Sequence, residues 1–327
     1  MAEDTFDIVA LGDAIVDVLV RRDEAFLNAT GATKGTMQLL TAEQADALAK
    51  AMAETGEVEE IPGGSAANTL AGAAAEGARC RFIGQIGDDR LGRKFADQMH
   101  ALSIRFDTPA ISVPTGRCMI VVTPDGERTM RTAPGASHCL TADALDEDAI
   151  RAASVLFLEG YLWGPEGPRA AMRRAIEIAH GAGRKIAFTL SDSITLPGRR
   201  ESLVSLVADG GIDILFSNIL EACMLAGTDD PVAAVEQLAP QVETLIMTRG
   251  PHGAIGYSGG QRVEVPAAHV EKVVDTTGAG DQFAAGFIAA YVRSADLREC
   301  LEAGTRTAAA VIGHVGARPL VEIGDGA

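Results

Sequence analysis

The chain has 327 residues, of which 47% are hydrophobic and 22% are charged, with 28 lysines and arginines against 45 aspartates and glutamates. A chain of this length buries about 75% of the surface that it exposes when unfolded, which excludes a miniprotein held together by disulfides or metal. The formal charge of −17 repels phosphate polymers and anionic lipids, so we expect neither nucleic acid nor a membrane as a partner.

Targeting and redox signals are absent from the sequence. No apolar stretch approaches the roughly 18 to 20 residues that cross a bilayer, and the N-terminus lacks a basic region followed by an apolar one. The five cysteines and six histidines are dispersed, without a C-x-x-C or H-E-x-x-H pattern. We therefore expect a cytoplasmic protein with buried thiols and no transition-metal site.

Short apolar runs alternate with longer segments of helical period along the chain. The runs predicted as strands are 7–11, 81–86, 155–158, 185–189, 212–216 and 244–247, with helical patterns such as 169–180 between them. A hairpin over 254–265 is predicted as part of the same body. These repeats predict an α/β fold, doubly wound, with a mostly parallel sheet flanked by helices.

Two segments interrupt this alternation. Residues 14–40 open with alternating apolar positions, and Gly116–Thr132 is predicted as two strands around the turn Pro124-Asp125-Gly126. We expect segments of roughly 14–40 and 110–135 to pair as a small β-sheet lid, inserted into a single domain that spans 1–327. Such a lid could close over the main sheet and exclude water from a reaction.

The run from Asp275 to Phe287 is the most informative motif. Gly278, Ala279 and Gly280 open a predicted helix, and small residues there leave backbone N–H groups free to bind phosphate at the positive end of the helix dipole. Asp281 follows in the first turn, where its carboxylate could accept the proton of an incoming hydroxyl as a general base. The alternative interpretation is a capping aspartate beside a tight turn.

A second motif precedes an alanine-rich helix. Gly63 and Gly64 allow close approach of a ligand to the backbone, while Ser65 and Asn68 lie one helical turn apart and can present polar groups in one direction. This pattern suits a polyhydroxylated ligand. Two helix-capping residues beside a loop would have the same sequence.

Acidic and amide side chains follow several predicted strands, at the edge of the sheet where α/β proteins bind ligands. Asp13 and Asp17 follow the first strand, and carboxylates there accept hydrogen bonds from the vicinal hydroxyls of a sugar. Asn218 and Glu221 could hold Mg²⁺ through water beside nucleotide phosphates. The next strand ends in a similar position at Thr248-Arg249-Gly250-Pro251-His252-Gly253.

In this order, these motifs resemble those of the ribokinase-type (phosphofructokinase B) carbohydrate kinases over almost the whole chain. The resemblance implies a ribokinase-like fold with a small β-sheet lid, ATP and Mg²⁺ as co-substrates, and phosphoryl transfer to a hydroxymethyl group. It also implies residue roles, namely Asp281 as the base, Gly278, Ala279 and Gly280 as the anion hole, Asn218, Thr248, Gly250 and Gly253 at ATP, Glu221 at Mg²⁺ through water, and Asp275 with Thr277 at a monovalent cation such as K⁺.

Within the family, the start of the chain, Gly160-Tyr161-Leu162 and the run 207–218 are similar to those of adenosine kinases. Asp13 and Thr277 depart from that group, which typically has Asn at both positions. The resemblance implies that Asp17 holds the ribose hydroxyls beside Asp13, Gly63, Gly64, Ser65 and Asn68, that Gln38, Leu40, Met130 and Tyr161 line a base pocket, and that Arg128 in the lid contacts phosphate.

The expected activity is transfer of the γ-phosphoryl group of Mg·ATP to the 5′-hydroxyl of a nucleoside, adenosine first, by a monomer or homodimer. A sugar kinase acting on ribose or fructose is the alternative, and a non-catalytic nucleoside sensor is a remote one. A dehydrogenase is disfavoured because no G-x-G-x-x-G follows the first strand.

Overall fold

The computed structural model describes residues 5–320, so residues 1–4 and 321–327 of the predicted domain lie outside the described residues. Its strands are β1 (Ile8–Leu11), β2 (Ile15–Arg21), β3 (Met37–Leu39), β4 (Glu59–Pro62), β5 (Cys80–Ile83), β6 (Gly116–Val122), β7 (Arg128–Ala133), β8 (Val155–Glu159), β9 (Lys185–Thr189), β10 (Ile214–Asn218), β11 (Thr244–Thr248), β12 (Ala254–Ser258) and β13 (Gln261–Val265). Its α-helices are α1 (Glu24–Ala29), α2 (Ala42–Glu54), α3 (Ser65–Ala75), α4 (Arg90–Ala101), α5 (Glu147–Ala152), α6 (Glu166–Gly181), α7 (Arg200–Ala208), α8 (Ile219–Ala226), α9 (Pro231–Leu238), α10 (Ala279–Tyr291) and α11 (Leu297–Ile312).

The main sheet has eight strands in the order β13-β12-β11-β10-β9-β8-β1-β5. The six strands from β11 to β5 are parallel, β12 is antiparallel to β11, and β13 is antiparallel to β12. Alternate residues of β1 enter two separate cores, Ile8 and Ala10 on one face and Val9 and Leu11 on the other. Burial on both faces explains why these strands are continuously apolar, and the predicted α/β class is confirmed.

Two strands, β5 and β10, have a boundary that differs from the prediction by two residues or more. β5 ends at Ile83 rather than Ile86, because the chain leaves the sheet at Gly84. β10 begins at Ile214 rather than Ile212. The backbone N–H of Ile186 donates to the carboxylate of Asp213 at 2.7 Å, so a side chain replaces the ladder bond that would have extended the strand.

A second sheet contains five strands in the order β3-β7-β6-β2-β4. Four of them come from the segments predicted to pair, but β4 lies outside those segments. Its sequence, Glu59-Glu60-Ile61-Pro62, has two charges and a proline, which are tolerated only because β4 is an edge strand. The pattern of a buried strand is therefore absent from it.

The two faces of the second sheet have different surroundings. Val18, Val20 and Met119 share a core with Leu27 of α1 and with Leu48 of α2. The opposite face carries a smaller apolar cluster that includes Ile15, Leu19, Cys118 and Ile120, together with Asp17. Because side chains alternate along a strand, Asp17 points away from the two helices.

Helices α3 and α10 pack closely against each other, which fixes the relation between the two most informative motifs. A Cβ atom added to Gly72 of α3 would lie 2.1 Å from Oε1 of Gln282 and 2.7 Å from Cβ of Ala285. The absence of a side chain at Gly72 thus permits the contact. Among residues 5–320, no helix is both long enough and apolar enough to span a membrane.

Candidate active site

The carboxylate of Asp281 lies in the first turn of α10 and faces the N-terminus of α3. Oγ of Ser65 donates to Oδ1 of Asp281 at 2.6 Å, and Nδ2 of Asn68 donates to Oδ2 at 3.0 Å. The structure thus brings Asp281 together with two residues that lie more than 210 positions before it in the chain. The hydroxyl and the amide hold the carboxylate as a hydrogen-bond acceptor.

Burial raises the pKa of Asp281 to about 6, while the hydrogen bonds from Ser65 and Asn68 and the charge of Arg318 act in the opposite direction. A carboxylate with a pKa close to neutral is ionised at pH 7 and can still take a proton, which is what a general base requires.

The N-terminus of α10 presents two free amides. Gly278 has a φ of 75°, and a Cβ atom there would lie 2.5 Å from Cβ of Ala317, so the turn requires glycine. Among the described residues, no acceptor takes the backbone N–H of Gly278 or Gly280, whereas the N–H of Ala279 donates to the carbonyl of Thr276 at 3.2 Å. Of the predicted anion hole, Ala279 is therefore already engaged in the turn.

Asp275 accepts hydrogen bonds on both carboxylate oxygens. Oδ1 accepts from the backbone N and the hydroxyl of Thr277, and Oδ2 accepts from Nη1 of Arg128 at 2.8 Å and from the backbone N of Gly316 at 3.1 Å. Burial alone would raise the pKa of Asp275, but these donors lower it to about 2. A K⁺ ion bound to Asp275 would have to displace Arg128, so this arrangement does not fit the predicted monovalent-cation site.

Asn218 and Glu221 form a capping box at the start of α8. Oδ1 of Asn218 accepts from the backbone N of Glu221, and the two carboxylate oxygens of Glu221 accept from the backbone N and the side-chain amide of Asn218. Glu221 is only 6% exposed. In residues 5–320, no group of three acidic, histidine or cysteine side chains could hold a metal. The predicted contact of Glu221 with Mg²⁺ through water therefore stays a prediction, and its carboxylate oxygens already accept hydrogen bonds from Asn218.

The remaining nucleotide-site candidates lie at the carboxyl ends of neighbouring strands. Thr248 ends β11 and is the register partner of Asn218 on β10. Gly250 opens a short 3₁₀ turn with a φ of 56°, and Gly253 closes it with a φ of 81°. Because these strands are parallel to β1 and β8, their carboxyl ends lie on the same side of the sheet. Thr248, Gly250 and Gly253 are therefore on the side where Asp13 and Glu159 follow or end their strands.

Asp13 is buried at the end of β1 and is bound on several sides. Its carboxylate accepts from the hydroxyl of Ser137, and its backbone N–H donates to Oε1 of Glu159 at 2.6 Å. Oε2 of Glu159 accepts from the backbone N–H of Ala66. Burial raises the pKa of both carboxyl groups. Glu159 thus joins the loop after β1 to the loop that contains Gly63 and Gly64 and to the start of α3.

Asp17 lies on β2 and faces the same region from the second sheet. Its carboxylate is against Gly63, since a Cβ atom added there would lie 3.1 Å from Oδ2 of Asp17. Burial raises the pKa of Asp17 to about 6, opposed by the charges of Arg128 and Arg318 and assisted by that of Asp281.

The predicted base-pocket residues do not all lie on one face. Met130 belongs to the cluster beside Asp17, and Tyr161 lies at the end of β8, where burial raises the pKa of its hydroxyl well above the usual value. Gln38 is exposed and is the register partner of Arg131, whose guanidinium donates to the carbonyl of Thr30 after α1.

Leu40 packs into the core that α1 and α2 cover. Gln38 and Leu40 therefore lie on the side of the sheet opposite to Asp17. In β3 it is Met37 and Leu39 that share the face of Asp17, because a strand alternates with a period of two.

Two residues at the site were absent from the sequence prediction. Glu159 left a detectable signal, because it is the only charged residue at the end of an otherwise apolar strand. Arg318 left none, since it stands alone in the segment after α11. Its guanidinium donates to Oδ1 of Asn68 at 2.8 Å, to Oε1 of Gln98 at 2.5 Å and to the carbonyl of Gly63 at 3.2 Å.

Comparison with known proteins identifies the family of the chain. Residues 29–323 match the model of the pfkB family carbohydrate kinases. An adenosine kinase from Sinorhizobium meliloti is 41% identical with a TM-score of 0.90, and the alignment covers 97% of each chain. A probable sugar kinase from Rhizobium etli is 37% identical with a TM-score of 0.90, covering 97% of this chain and 96% of that one.

A fructokinase from Solanum tuberosum is 31% identical over 250 residues, which are 74% of this chain and 75% of that protein. Nucleoside and sugar kinases thus both occur among the relatives. Kinases of this family use ATP, generally with Mg²⁺. The chain belongs to the pfkB family of carbohydrate kinases, which are phosphotransferases that act on hydroxyl groups.

Proposed function

We propose that this protein transfers the γ-phosphoryl group of Mg·ATP to the 5′-hydroxyl of a nucleoside, with adenosine as the first acceptor to test. The observation that carries the proposal is the position of Asp281, which Ser65 and Asn68 hold beside the free amides of Gly278 and Gly280. A base next to an anion-binding helix terminus is the minimum that phosphoryl transfer to an alcohol requires.

In the proposed reaction, the acceptor hydroxyl passes its proton to the carboxylate of Asp281. Its oxygen then forms a bond to the γ-phosphorus of Mg·ATP, and the bond from that phosphorus to the β-γ bridging oxygen breaks, releasing ADP. The amides of Gly278 and Gly280 donate to the phosphoryl oxygens as negative charge develops on them. Arg128 is the guanidinium on the second sheet that lies nearest to this loop, and it adds positive charge there.

The second sheet supports a nucleoside over a free sugar. Asp17 can accept hydrogen bonds from two ribose hydroxyls, and its strand neighbours on the same face, Ile15 and Leu19, are apolar, as are Ile120 and Met130. A purine has a flat apolar surface that such a face would bury, whereas a free sugar has polar groups all round. The 41% identity to an adenosine kinase supports the same acceptor.

A sugar is the second candidate acceptor. The 31% identity to a fructokinase favours it, and Asp13 adds a second carboxylate that could bind hydroxyl groups. The nucleotide half-reaction and the role of Asp281 are the same in both cases.

The test is a panel of acceptors in a coupled ADP-release assay, with adenosine, other nucleosides, ribose and fructose. We expect saturable activity with adenosine, and phosphorus NMR should identify the product as the 5′-monophosphate. An Asp17→Asn variant should raise the KM for adenosine while the KM for ATP stays within about twofold, because Asp17 lies on the acceptor side. Saturable activity with sugars and none with nucleosides would overturn the nucleoside proposal.

A further inference from the structure

Arg318 contacts Asn68, which binds Asp281, and Gly63, against which the carboxylate of Asp17 lies. It belongs to the segment after α11, and its guanidinium contacts α3 through Asn68, α4 through Gln98 and the loop between β4 and α3 through the carbonyl of Gly63. All three acceptors are neutral. Among the described residues, Asp17 and Asp281 act on this guanidinium through their charges and not through hydrogen bonds.

The hydrogen bond from Arg318 determines how Asn68 is oriented. A guanidinium can only donate, so the amide oxygen of Asn68 must face Arg318 and the amide nitrogen must face the other way. That nitrogen then donates to Oδ2 of Asp281. If the amide were turned over, its oxygen would point at the carboxylate and repel it. The orientation of Arg318 thus passes through Asn68 to the proposed base.

Arg318 is also the positive charge that acts on both carboxylates. The charge of Arg318 lowers the pKa of Asp17 and of Asp281, whereas burial raises both. Burial lowers the pKa of Arg318 to about 10, and the charges of the two carboxylates act in the opposite direction. The guanidinium therefore remains charged at neutral pH. The other groups that interact with Asp281 are the hydroxyl of Ser65 and, by charge, Glu159 and Tyr161.

We infer that Arg318 is a positioning residue for phosphoryl transfer, which orients Asp281 through the amide of Asn68 and brings a positive charge to the site. The inference rests on the proposed role of Asp281 as the base, but not on which acceptor is phosphorylated. It assigns to the C-terminal segment a function at the site that no motif of the sequence indicates.

The test compares Arg318→Met, which has similar length and no charge, with Arg318→Lys, which retains the charge but cannot hold Asn68 and Gln98 together. Arg93→Met is the matched control, because Arg93 is exposed and lies on α4, the helix that also carries Gln98. The assay uses whichever acceptor the wild type phosphorylates, and thermal unfolding of each variant reports on folding.

For Arg318→Met we expect kcat to fall by about tenfold to hundredfold, with the KM for ATP within about twofold of wild type. The acidic limb of the pH profile of kcat/KM should move up by about one pH unit, because a neighbouring positive charge has been removed. In Arg318→Lys the limb should stay near that of the wild type while kcat remains several-fold lower. Arg93→Met should match the wild type in all respects.

A second readout does not need turnover. The carboxyl carbon of Asp281, assigned in NMR spectra by comparison with Asp281→Asn, should titrate about one pH unit higher in Arg318→Met than in the wild type, and should be unshifted in Arg318→Lys. If Arg318→Met does not fold, Arg318→Lys decides through its kcat. A wild-type kcat in Arg318→Lys, or an unshifted titration of Asp281 in Arg318→Met, would overturn the inference. Absence of any acceptor-dependent ADP release by the wild type would instead count against the proposed function.

Discussion

Nη1 of Arg128 lies 2.8 Å from Oδ2 of Asp275, which joins strand β7 of the second sheet to the loop before α10. The two side chains are 24% and 10% exposed, so the ion pair is largely shielded from solvent. Through this contact, the second sheet is held against the helix terminus that carries Asp281. Both oxygens of Asp275, the residue predicted at a monovalent cation, thus accept hydrogen bonds from protein donors.

Potassium should therefore have little effect on the rate. Replacing KCl by tetramethylammonium chloride at the same ionic strength is expected to change kcat by less than about twofold, because donors from the protein already surround Asp275. Initial rates at saturating ATP and acceptor measure this directly. Activation of tenfold or more by K⁺ would show that Arg128 leaves Asp275 during turnover.

Replacing the proposed base should separate binding from chemistry. In Asp281→Asn we expect kcat to fall by about 10² or more, since the amide cannot accept the hydroxyl proton, while the Kd for ATP measured by calorimetry stays nearly unchanged. The control is Asp148→Asn, at a side chain that is 98% exposed on α5. A variant whose turnover stays within a few-fold of the parent would remove Asp281 from the role of base.

Activity should decline on the acidic side. Asp281 must be ionised to accept a proton and its pKa is about 6, so kcat/KM for the acceptor should be about tenfold lower at pH 5 than on its plateau. If Asp17, with a pKa also of about 6, must be ionised as well, the loss should approach a hundredfold. The initial slope of the logarithmic profile distinguishes one proton from two.

Protonation of Asp17 and Asp281 at pH 5 should lower the activity without unfolding the protein. Both have a pKa above the unfolded value of 3.8, so the folded state binds their protons more tightly than the unfolded state does. Their contribution to the free energy of unfolding thus increases as the pH falls from about 6 to about 3.8. Circular dichroism at pH 5 should show a folded protein, and loss of the native spectrum there would contradict the assignment.

The two faces of the second sheet should differ in their effect on the acceptor. Met130→Ala is expected to raise the KM for adenosine by about tenfold, because it removes apolar surface beside Asp17. Gln38→Ala is the matched control and should change that KM by less than about twofold, since Gln38 lies on the other face. A larger increase in the KM for adenosine in Gln38→Ala than in Met130→Ala would show that the adenine ring contacts Gln38.

Glu159 should be important for the stability of the fold. Its two carboxylate oxygens accept backbone N–H groups from Asp13 and Ala66, and the side chain is 0% exposed. In Glu159→Gln, one of these N–H groups would meet another N–H, which costs about 1 to 3 kcal/mol in the free energy of unfolding. Urea denaturation measures the cost. A urea midpoint equal to that of the wild type would show that the hydrogen bonds of Glu159 to Asp13 and Ala66 do not stabilise the fold.

The elements that the sequence predicted correctly are those whose pattern lies within a few neighbouring residues. The strands of the main sheet are buried on both faces, so each one is an apolar run that the sequence displays directly. The run from Asp275 to Phe287 could likewise be predicted from the sequence, because the glycine turn and the acidic residue in the first helical turn are close together in the chain. Strand β4 and the face of Gln38 could not be predicted this way, since an edge strand with charges has no apolar pattern and a register is decided by pairing.

The sequence by itself determined the α/β class, the kinase motifs and the identity of Asp281 as the candidate base, because each depends on residues a few positions apart. Only the tertiary structure decided what surrounds that carboxylate. Asn68 donates to Asp281 across the packing of α3 against α10, and Arg318, in the segment after α11, donates to Asn68. Hydrogen bonds and charges act through space, so a contact between residues that are hundreds of positions apart has no counterpart in local sequence.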